Sequence, residues 1–368
     1  MADYAAAGVD LEAGDRAVEL MKSAVTSSHN DTVVAGAGGF AGLIDASALR
    51  GMKKPLLASS TDGVGTKVAI AQALDIHDTI GQDLVAMVVD DIVVTGAKPL
   101  LMTDYIACGH VEPQRIADIV RGIAAACAEV DCPLIGGETA EHPGLMKPDE
   151  YDIAGAATGV VDADDVLGAH RVEDGDVIIA MAASGLHSNG YSLVRKIVSE
   201  SGWKLDRHVD ELGRTLGEEL LEPTRLYTRA CLGLIDELNE DAVRTFSHIT
   251  GGGLGANISR IMPRGHYATI DRSSWMIPPI FTLLSTLGNV EWASMESTFN
   301  LGVGMVAVVE QSQADRAIDF LTHSDMRPWV LGRVIERVPS GFSNTTVVQG
   351  AKGVDGGSAL LYGKPQIN

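Results

Sequence analysis

Apolar and polar positions along the 368-residue chain alternate in two periods, one near two and one near three and a half, so short strands and amphipathic helices follow one another. After Asp15, apolar residues at Ala17, Leu20, Met21, Ala24 and Val25 predict a helix. A short apolar run, Pro55 to Ala58, breaks into Ser59-Ser60-Thr61-Asp62-Gly63-Val64-Gly65-Thr66-Lys67. Thr79 is placed to cap a helix reaching about Val94, with Ile80, Leu84, Val85, Val88 and Ile92 as its buried stripe. Leu100 to Ala107 reads as a strand interrupted by Asp104, and Pro113 to Val130 as a helix opened by proline. Pro133 to Ile135 is a short strand stopping at Gly136-Gly137-Glu138-Thr139-Ala140-Glu141, and Tyr151 to Val161 is another strand.

The acidic stretch Asp162 to Asp165, with Gly168, marks a change of composition and a domain boundary. Beyond it the pattern restarts: strand Asp176 to Ala182, a polar corner at Ser184 to Ser192, and a helix to about Glu200. Helix Pro223 to Leu238 and strand Val243 to Ile249 lead to the glycine turn Thr250-Gly251-Gly252-Gly253. Helix Pro278 to Leu287, strand Gly304 to Glu310, helix Gln313 to His323 and strand Trp329 to Glu336 complete the pattern. The glycine-rich end shows no period, which predicts a poorly ordered tail. The expected architecture is α/β in two domains, residues 1–170 and 171–348, with the tail at 349–368.

Composition narrows the function classes. A formal net charge of −21 opposes non-specific contact with nucleic acid or an anionic membrane surface. Four cysteines without a Cys-x-x-Cys pair argue for buried thiols rather than a disulfide framework. Neither a basic, apolar leader nor an apolar run of spanning length is visible, so a cytoplasmic protein is expected.

The candidate chemistry centres on residues 59–67. Gly63 and Gly65 let the backbone approach a ligand, Lys67 offers a point charge to phosphate, and Asp62 can hold a magnesium ion against it. A plain Asp-Gly turn uses the same residues, and the Walker spacing is not matched. Asp90 and Asp91 sit in an apolar helix, with Asp91 taken as the inward one, and Glu138 follows an apolar strand. Three oxygen-rich positions, Asp62, Asp91 and Glu138, suit a hard cation, magnesium rather than zinc. The segment Gly36 to Gly42 reads as a ligand lid or a linker. His187, Ser188 and Asn189 at a helix start form a polar ligand corner, and the turn at Gly251 to Gly253 precedes a helix suited to phosphate. The hydrolase elbow is absent, because Leu186 stands where its first glycine belongs.

Taken in order, Tyr4-x-x-Ala7-Gly8-Val9-Asp10, Thr61 to Lys67, His77-Asp78-Thr79-Ile80-Gly81, Gly136 to Glu141, His187 to Ser192 and Thr250 to Gly253 resemble the phosphoribosylformylglycinamidine cyclo-ligases of purine biosynthesis. The likeness spans nearly the whole chain except the tail. Two positions depart from it: Asp90 stands where the family usually has asparagine, and His142 where methionine is frequent. The resemblance implies a homodimer whose first-domain sheets pair into a barrel, with an α/β second domain packed beside it. It implies ATP and magnesium, and conversion of formylglycinamidine ribonucleotide to aminoimidazole ribonucleotide with release of ADP and phosphate. Carried over, Asp62, Gly63, Val64, Gly65, Thr66, Lys67, Asp91, Glu138 and Thr139 would bind nucleotide, with Asp62, Asp91 and Glu138 on the metal. Lys67, His187 and Asn189 would serve the chemistry, and His187, Ser188, Asn189 and Gly251 to Gly253 would hold the ribonucleotide. A selenophosphate synthetase is disfavoured because the first cysteine is Cys108, a thiamine-monophosphate kinase because of the later motifs. A nucleotide-binding dimer without turnover is the reading from another class.

Overall fold

The structure, a computed structural model, describes residues 10–36, 38–338, 345–350 and 356–367. The chain divides into two units, Met1–Ile92 with Ala97–Asp165, and Val93–Gly96 with Val166–Asn368. The motif from Tyr4 to Val9 lies outside the described residues.

In the first unit, helix α1 (Leu11–Ser27) opens on Asp10, whose carboxylate accepts from the Ala13 amide. Two short strands, β1 (Val33–Ala35) and β2 (Leu43–Ile44), pair antiparallel. Then come β3 (Pro55–Gly63), α2 (Val68–Leu74), α3 (Ile80–Val93), β4 (Lys98–Cys108), α4 (Pro113–Glu129), β5 (Leu134–Glu141) and β6 (Tyr151–Asp162). One sheet holds four of these strands in the order β3-β6-β4-β5, with β4 and β5 parallel and the other pairs antiparallel. Along β6, Tyr151, Ile153, Gly155 and Ala157 are buried while Asp152, Ala154, Ala156 and Thr158 are more exposed. That alternation is the mark of a sheet covered on one face.

Helices α3 and α4 cover it at backbone distance. A Cβ on Gly81 would stand 2.2 Å from the Ile123 nitrogen, and one on Gly122 2.0 Å from the Asp78 carbonyl oxygen. The His77 to Gly81 motif therefore has a packing role, and His77 also lies 2.9 Å from the Tyr151 hydroxyl. Three expectations in this unit are corrected. The run Gly136 to Glu141 continues the strand as part of β5, because every position from Gly136 to Glu141 pairs with β4. Asp90 is the inward residue of its pair and Asp91 the exposed one, since successive helix positions differ by about 100° and only one can join the buried stripe. Lys67 is not an open charge: its ammonium donates to Asp83 at 2.8 Å with both side chains fully buried.

The second unit is built on β7 (Val177–Ala182), α5 (Tyr191–Ser201), β8 (His208–Val209), β9 (Arg214–Thr215), α6 (Leu216–Leu220), α7 (Thr228–Glu237), β10 (Val243–His248), α8 (Gly253–Arg260) and β11 (Tyr267–Asp271). It ends with α9 (Pro279–Gly288), α10 (Trp292–Thr298), β12 (Val303–Val309), α11 (Ala314–His323), β13 (Trp329–Ile335), β14 (Thr346–Gln349) and β15 (Ser358–Tyr362). Seven strands form one sheet, β10-β12-β7-β13-β11-β15-β14. Its two faces differ in their partners: Ile179, Met181 and Ala307 pack with α7 and α11, while Ile178, Ala180 and Val306 pack with α8. Such sheets read as continuous apolar runs, and β12 is buried at all its positions.

The tail expectation is corrected at 358–362. Those residues form β15, parallel to β11 and antiparallel to β14, and Ala359, Leu360 and Leu361 are buried. Arg272 secures them by donating to the Leu361 carbonyl while holding both oxygens of Glu296. Residues 351–355 lie outside the described residues.

Removing one member of a buried ion pair strands the other charge. Lys67→Met is expected to lower the stability of the first unit by about 3 kcal/mol, and Lys67→Met with Asp83→Leu to restore most of it. Thermal and urea unfolding of the two variants check this; equal losses in both would remove the pair from the account.

Candidate active site

The carboxylates that the sequence groups together are not gathered by one chain. Asp62 ends β3 and Glu138 lies within β5, the opposite edges of the four-stranded sheet. Three strand spacings separate them, about 14 Å. Among the described residues no group of three or more His, Cys, Asp or Glu side chains is close enough to hold a metal ion. The expected cage of Asp62, Asp91 and Glu138 therefore does not fit a single magnesium within one chain. Asp62, Asp91 and Glu138 are each exposed, as are Gly65 and Thr66.

The segment read as a phosphate cradle is more committed than its sequence suggests. The Gly63 amide donates to the Asp62 carboxylate at 2.7 Å, and the buried Val64 donates to the Ile153 carbonyl at 3.4 Å. Gly65 has φ +69 with open space where a Cβ would stand, so the glycine is required by conformation rather than by crowding. Lys67 follows in a one-turn helix and plunges inward to Asp83.

Two adjoining cavities lie on the β5 side of the sheet. One, of about 300 Å³, is bounded by α1 at Gly14, Ala17, Val18 and Met21 and by Glu138 and Thr139 of β5. The other, of about 320 Å³, lies under the glycine segment from Gly38 to Gly42. Asp104 lines both. Burial pushes its carboxyl up to about 7. Sequence reasoning left Asp104 without a role, although a carboxylate interrupting an apolar strand was the signal. Glu141 was quoted only within a motif. Its buried carboxylate accepts from the Val111 amide at 2.6 Å and the Asp10 amide at 2.7 Å, and His110 Nδ1 lies 3.0 Å away. It thereby ties β5 to the start of α1.

In the second unit the structure brings the two predicted substrate segments together. The Gly251 amide donates to Asn189 Oδ1 at 2.9 Å, joining the corner before α5 to the turn before α8. Asn257 donates to the Thr250 and Gly253 carbonyls and closes that turn from inside. Gly252 and Gly253 have φ +102 and +71, and a Cβ on Gly253 would meet the Glu296 carbonyl oxygen at 1.9 Å. His187 is buried, with φ 61, and its Nε2 accepts from the Ser184 amide at 3.2 Å. A Cβ on Gly304 would fall 1.9 Å from the Tyr227 hydroxyl and 2.6 Å from the His187 ring, so glycine there makes room for both. Asn300 donates to the Gly185 carbonyl at 3.0 Å and completes the corner. A left-handed, non-glycine residue held from several sides is the kind of strain that concentrates at functional sites.

All four cysteines are buried and none is in a disulfide. No helix among the described residues is long and apolar enough to cross a membrane.

A two-unit chain of this kind, with a four-stranded sheet preceding a seven-stranded one, matches the AIR synthase related family: its N-terminal domain corresponds to residues 41–161 and its C-terminal domain to residues 173–342. The protein of Lachnospira eligens named phosphoribosylformylglycinamidine cyclo-ligase is 46% identical over 334 residues, covering 90% of this chain and 97% of that one. The protein of the same name in Desulfitobacterium hafniense is 49% identical over 331 residues, covering 90% and 96%. Among solved structures, the hydrogenase maturation protein HypE in complex with ATP aligns with a TM-score of 0.62 at 15% identity, covering 94% of this chain and 93% of that one, a likeness of fold. The chain belongs to the AIR synthase related family and, within it, to the phosphoribosylformylglycinamidine cyclo-ligases.

An acid whose folded pKa is raised above its unfolded value costs stability once the pH exceeds the unfolded value, and the full cost is reached above the folded one. Asp104→Asn is therefore expected to stabilise the protein at about pH 8.5 and to change little at about pH 4. Melting temperatures of the two proteins across that range check it; a constant difference would contradict the assignment.

Proposed function

We propose that this chain closes the imidazole ring of aminoimidazole ribonucleotide from formylglycinamidine ribonucleotide, using ATP and releasing ADP and phosphate. The observation that carries the reading is the identity with cyclo-ligases over nine-tenths of the chain, through both units in order. An amide oxygen leaves poorly, so the γ-phosphoryl group is transferred to it. The activated carbon is then attacked by the amidine nitrogen, the C–O bond to phosphate breaks, and the five-membered ring remains. Phosphoryl transfer of this kind depends on alignment and charge compensation rather than on covalent help from the protein.

The first unit is assigned the nucleotide, through Asp62, Gly63, Val64, Gly65, Thr66, Asp91, Glu138 and Thr139. Lys67 contributes through the fold, holding the segment after β3 to α3, rather than through a contact with phosphate. Magnesium would accompany the triphosphate as its counter-ion and supply charge compensation there. The second unit is assigned the ribonucleotide: Gly251 to Gly253 toward the 5-phosphate, Ser188 and Asn189 toward the amide and amidine. His187 positions that corner through its bond with the Ser184 amide.

A homodimer is the proposed assembly. Leu57 and Tyr105 are large, exposed hydrophobic residues on one face of the four-stranded sheet, the face that β6 lines with Ala154, Ala156 and Thr158, and Tyr105 alternates with the buried Ile106 on β4. A second copy laid on that sheet face would cover them in a self-complementary contact.

Incubation with ATP, magnesium and formylglycinamidine ribonucleotide is expected to yield ADP and ring product in equal amounts. ATP loss without the ribonucleotide would point to a kinase or plain ATPase. Asp62→Asn is expected to weaken magnesium-dependent ATP binding about tenfold, and unchanged affinity would remove Asp62 from the nucleotide site. His187→Ala is expected to lower turnover with ATP affinity intact; normal turnover would return it to a purely structural role.

A further inference from the structure

The stretch from Glu296 to Gly302, the end of α10 and the loop into β12, touches both segments of the second unit's polar corner. The Asn300 amide nitrogen donates to the Gly185 carbonyl at 3.0 Å, and its side-chain oxygen accepts from the Gly302 amide at 2.8 Å. The Gly302 carbonyl accepts from the Ala183 amide at 2.9 Å, just past the end of β7. Phe299 is buried against the start of α5, where a Cβ on Gly190 would stand 2.3 Å from its ring. At the start of α8, a Cβ on Gly253 would stand 1.9 Å from the Glu296 carbonyl oxygen and 3.3 Å from that of Phe299. One stretch of chain thus abuts both the corner carrying His187 to Asn189 and the turn from Gly251 to Gly253.

The backbone bends sharply within it. Leu301 is buried and left-handed at φ 51, and Gly302 follows at φ +96. A bulky apolar residue rarely adopts that conformation, and it persists only where the surroundings hold it. Two side chains do so. Asn300 bonds on one side of the bend, and the Trp275 indole N–H donates to the Leu301 carbonyl at 2.9 Å on the other. Trp275 is braced in turn by Trp329, with ring centroids 6.1 Å apart.

We propose that Asn300 and Trp275 are positioning residues for the ribonucleotide: they hold the bend at Leu301, and the bend sets the gap between the His187 to Asn189 corner and the Gly251 to Gly253 turn. The inference rests on the assignment of the second unit to the ribonucleotide. Asn300 acts through the Gly185 carbonyl, and Trp275 through the Leu301 carbonyl. The bond from the Gly251 amide to Asn189 spans the gap so fixed. A site already held at its binding width takes up a ligand without the cost of ordering itself, so relaxing the bend weakens the hold on the ribonucleotide. The nucleotide, assigned to the first unit, is untouched by it.

Steady-state turnover at saturating ATP, with calorimetric titration of ATP into the full chain, tests the two residues. Trp275→Phe keeps the ring and removes the N–H; it is expected to raise the KM for formylglycinamidine ribonucleotide about fivefold and to keep the ATP Kd within about twofold of the parent. Asn300→Ala is expected to raise the same KM about tenfold with ATP affinity likewise kept. Because both hold one bend, the double variant is expected to lose about as much as Asn300→Ala alone rather than the product of the two losses. Parent-like KM values in both single variants overturn the positioning role and leave the ring-closing reading standing. Equal losses of ATP and ribonucleotide affinity overturn it as well, because the effect would then be general. Losses that multiply in the double variant overturn the shared bend. Where Asn300→Ala does not fold, Trp275→Phe decides by itself, its KM rising with ATP affinity intact or staying at the parent value. A parent protein that turns over no ribonucleotide overturns both the inference and the reading beneath it.

Discussion

The buried pair between Lys67 and Asp83 holds the exit of β3 against α3 in the first unit. It fastens the turn after β3 to the first turn of α3 and withdraws from solvent the cation that the sequence offers to a phosphate. Removing two opposite charges from water is costly, and such pairs persist where they fix a geometry rather than where they add stability. Here the geometry fixed is the exit of β3, where Asp62, Gly65 and Thr66 remain exposed. In a chain with a net charge of −21, the pairing removes Lys67 from the charges that a ligand at this exit could meet.

Strand order sets the second constraint. With β6 and β4 between them, Asp62 and Glu138 lie too far apart to share one ion, whatever rotamers they adopt. The same order places Asp104 on an inner strand, facing Gly137 across β5 and opening on two cavities. Glycine decides access at each of these places: it clears the carboxyl at Gly137, lets α3 and α4 touch at Gly81 and Gly122, and makes room for His187 and Tyr227 at Gly304.

Much of this was legible in the sequence. The stripe of Ile80, Leu84, Val85 and Val88 located α3, and the proline at Pro113 located the start of α4. The corner around Asn189 and the turn at Gly251 were both found by their polar and glycine content, and the bond that joins them lies between residues 62 positions apart. What stayed hidden depended on tertiary partners. Both neighbours of the Asp90-Asp91 pair are apolar, so no local pattern tells which aspartate faces the core. Gly136 to Glu141 looks like a loop by composition and becomes a strand only because β4 pairs with it. Ser358 to Tyr362 is too short to show a period, yet its buried leucines belong to a strand enclosed between β11 and β14 of the seven-stranded sheet. Asp104 was visible as a break in a strand, without the cavities that give it meaning.

The central claim is that ring closure proceeds through phosphoryl transfer to the amide oxygen of the ribonucleotide. Its most direct test is a single-turnover reaction with heavy-isotope oxygen in that amide, followed by mass analysis of the released phosphate. The account predicts that the label passes into inorganic phosphate in proportion to ring product; label released to water while phosphate stays unlabelled would contradict it.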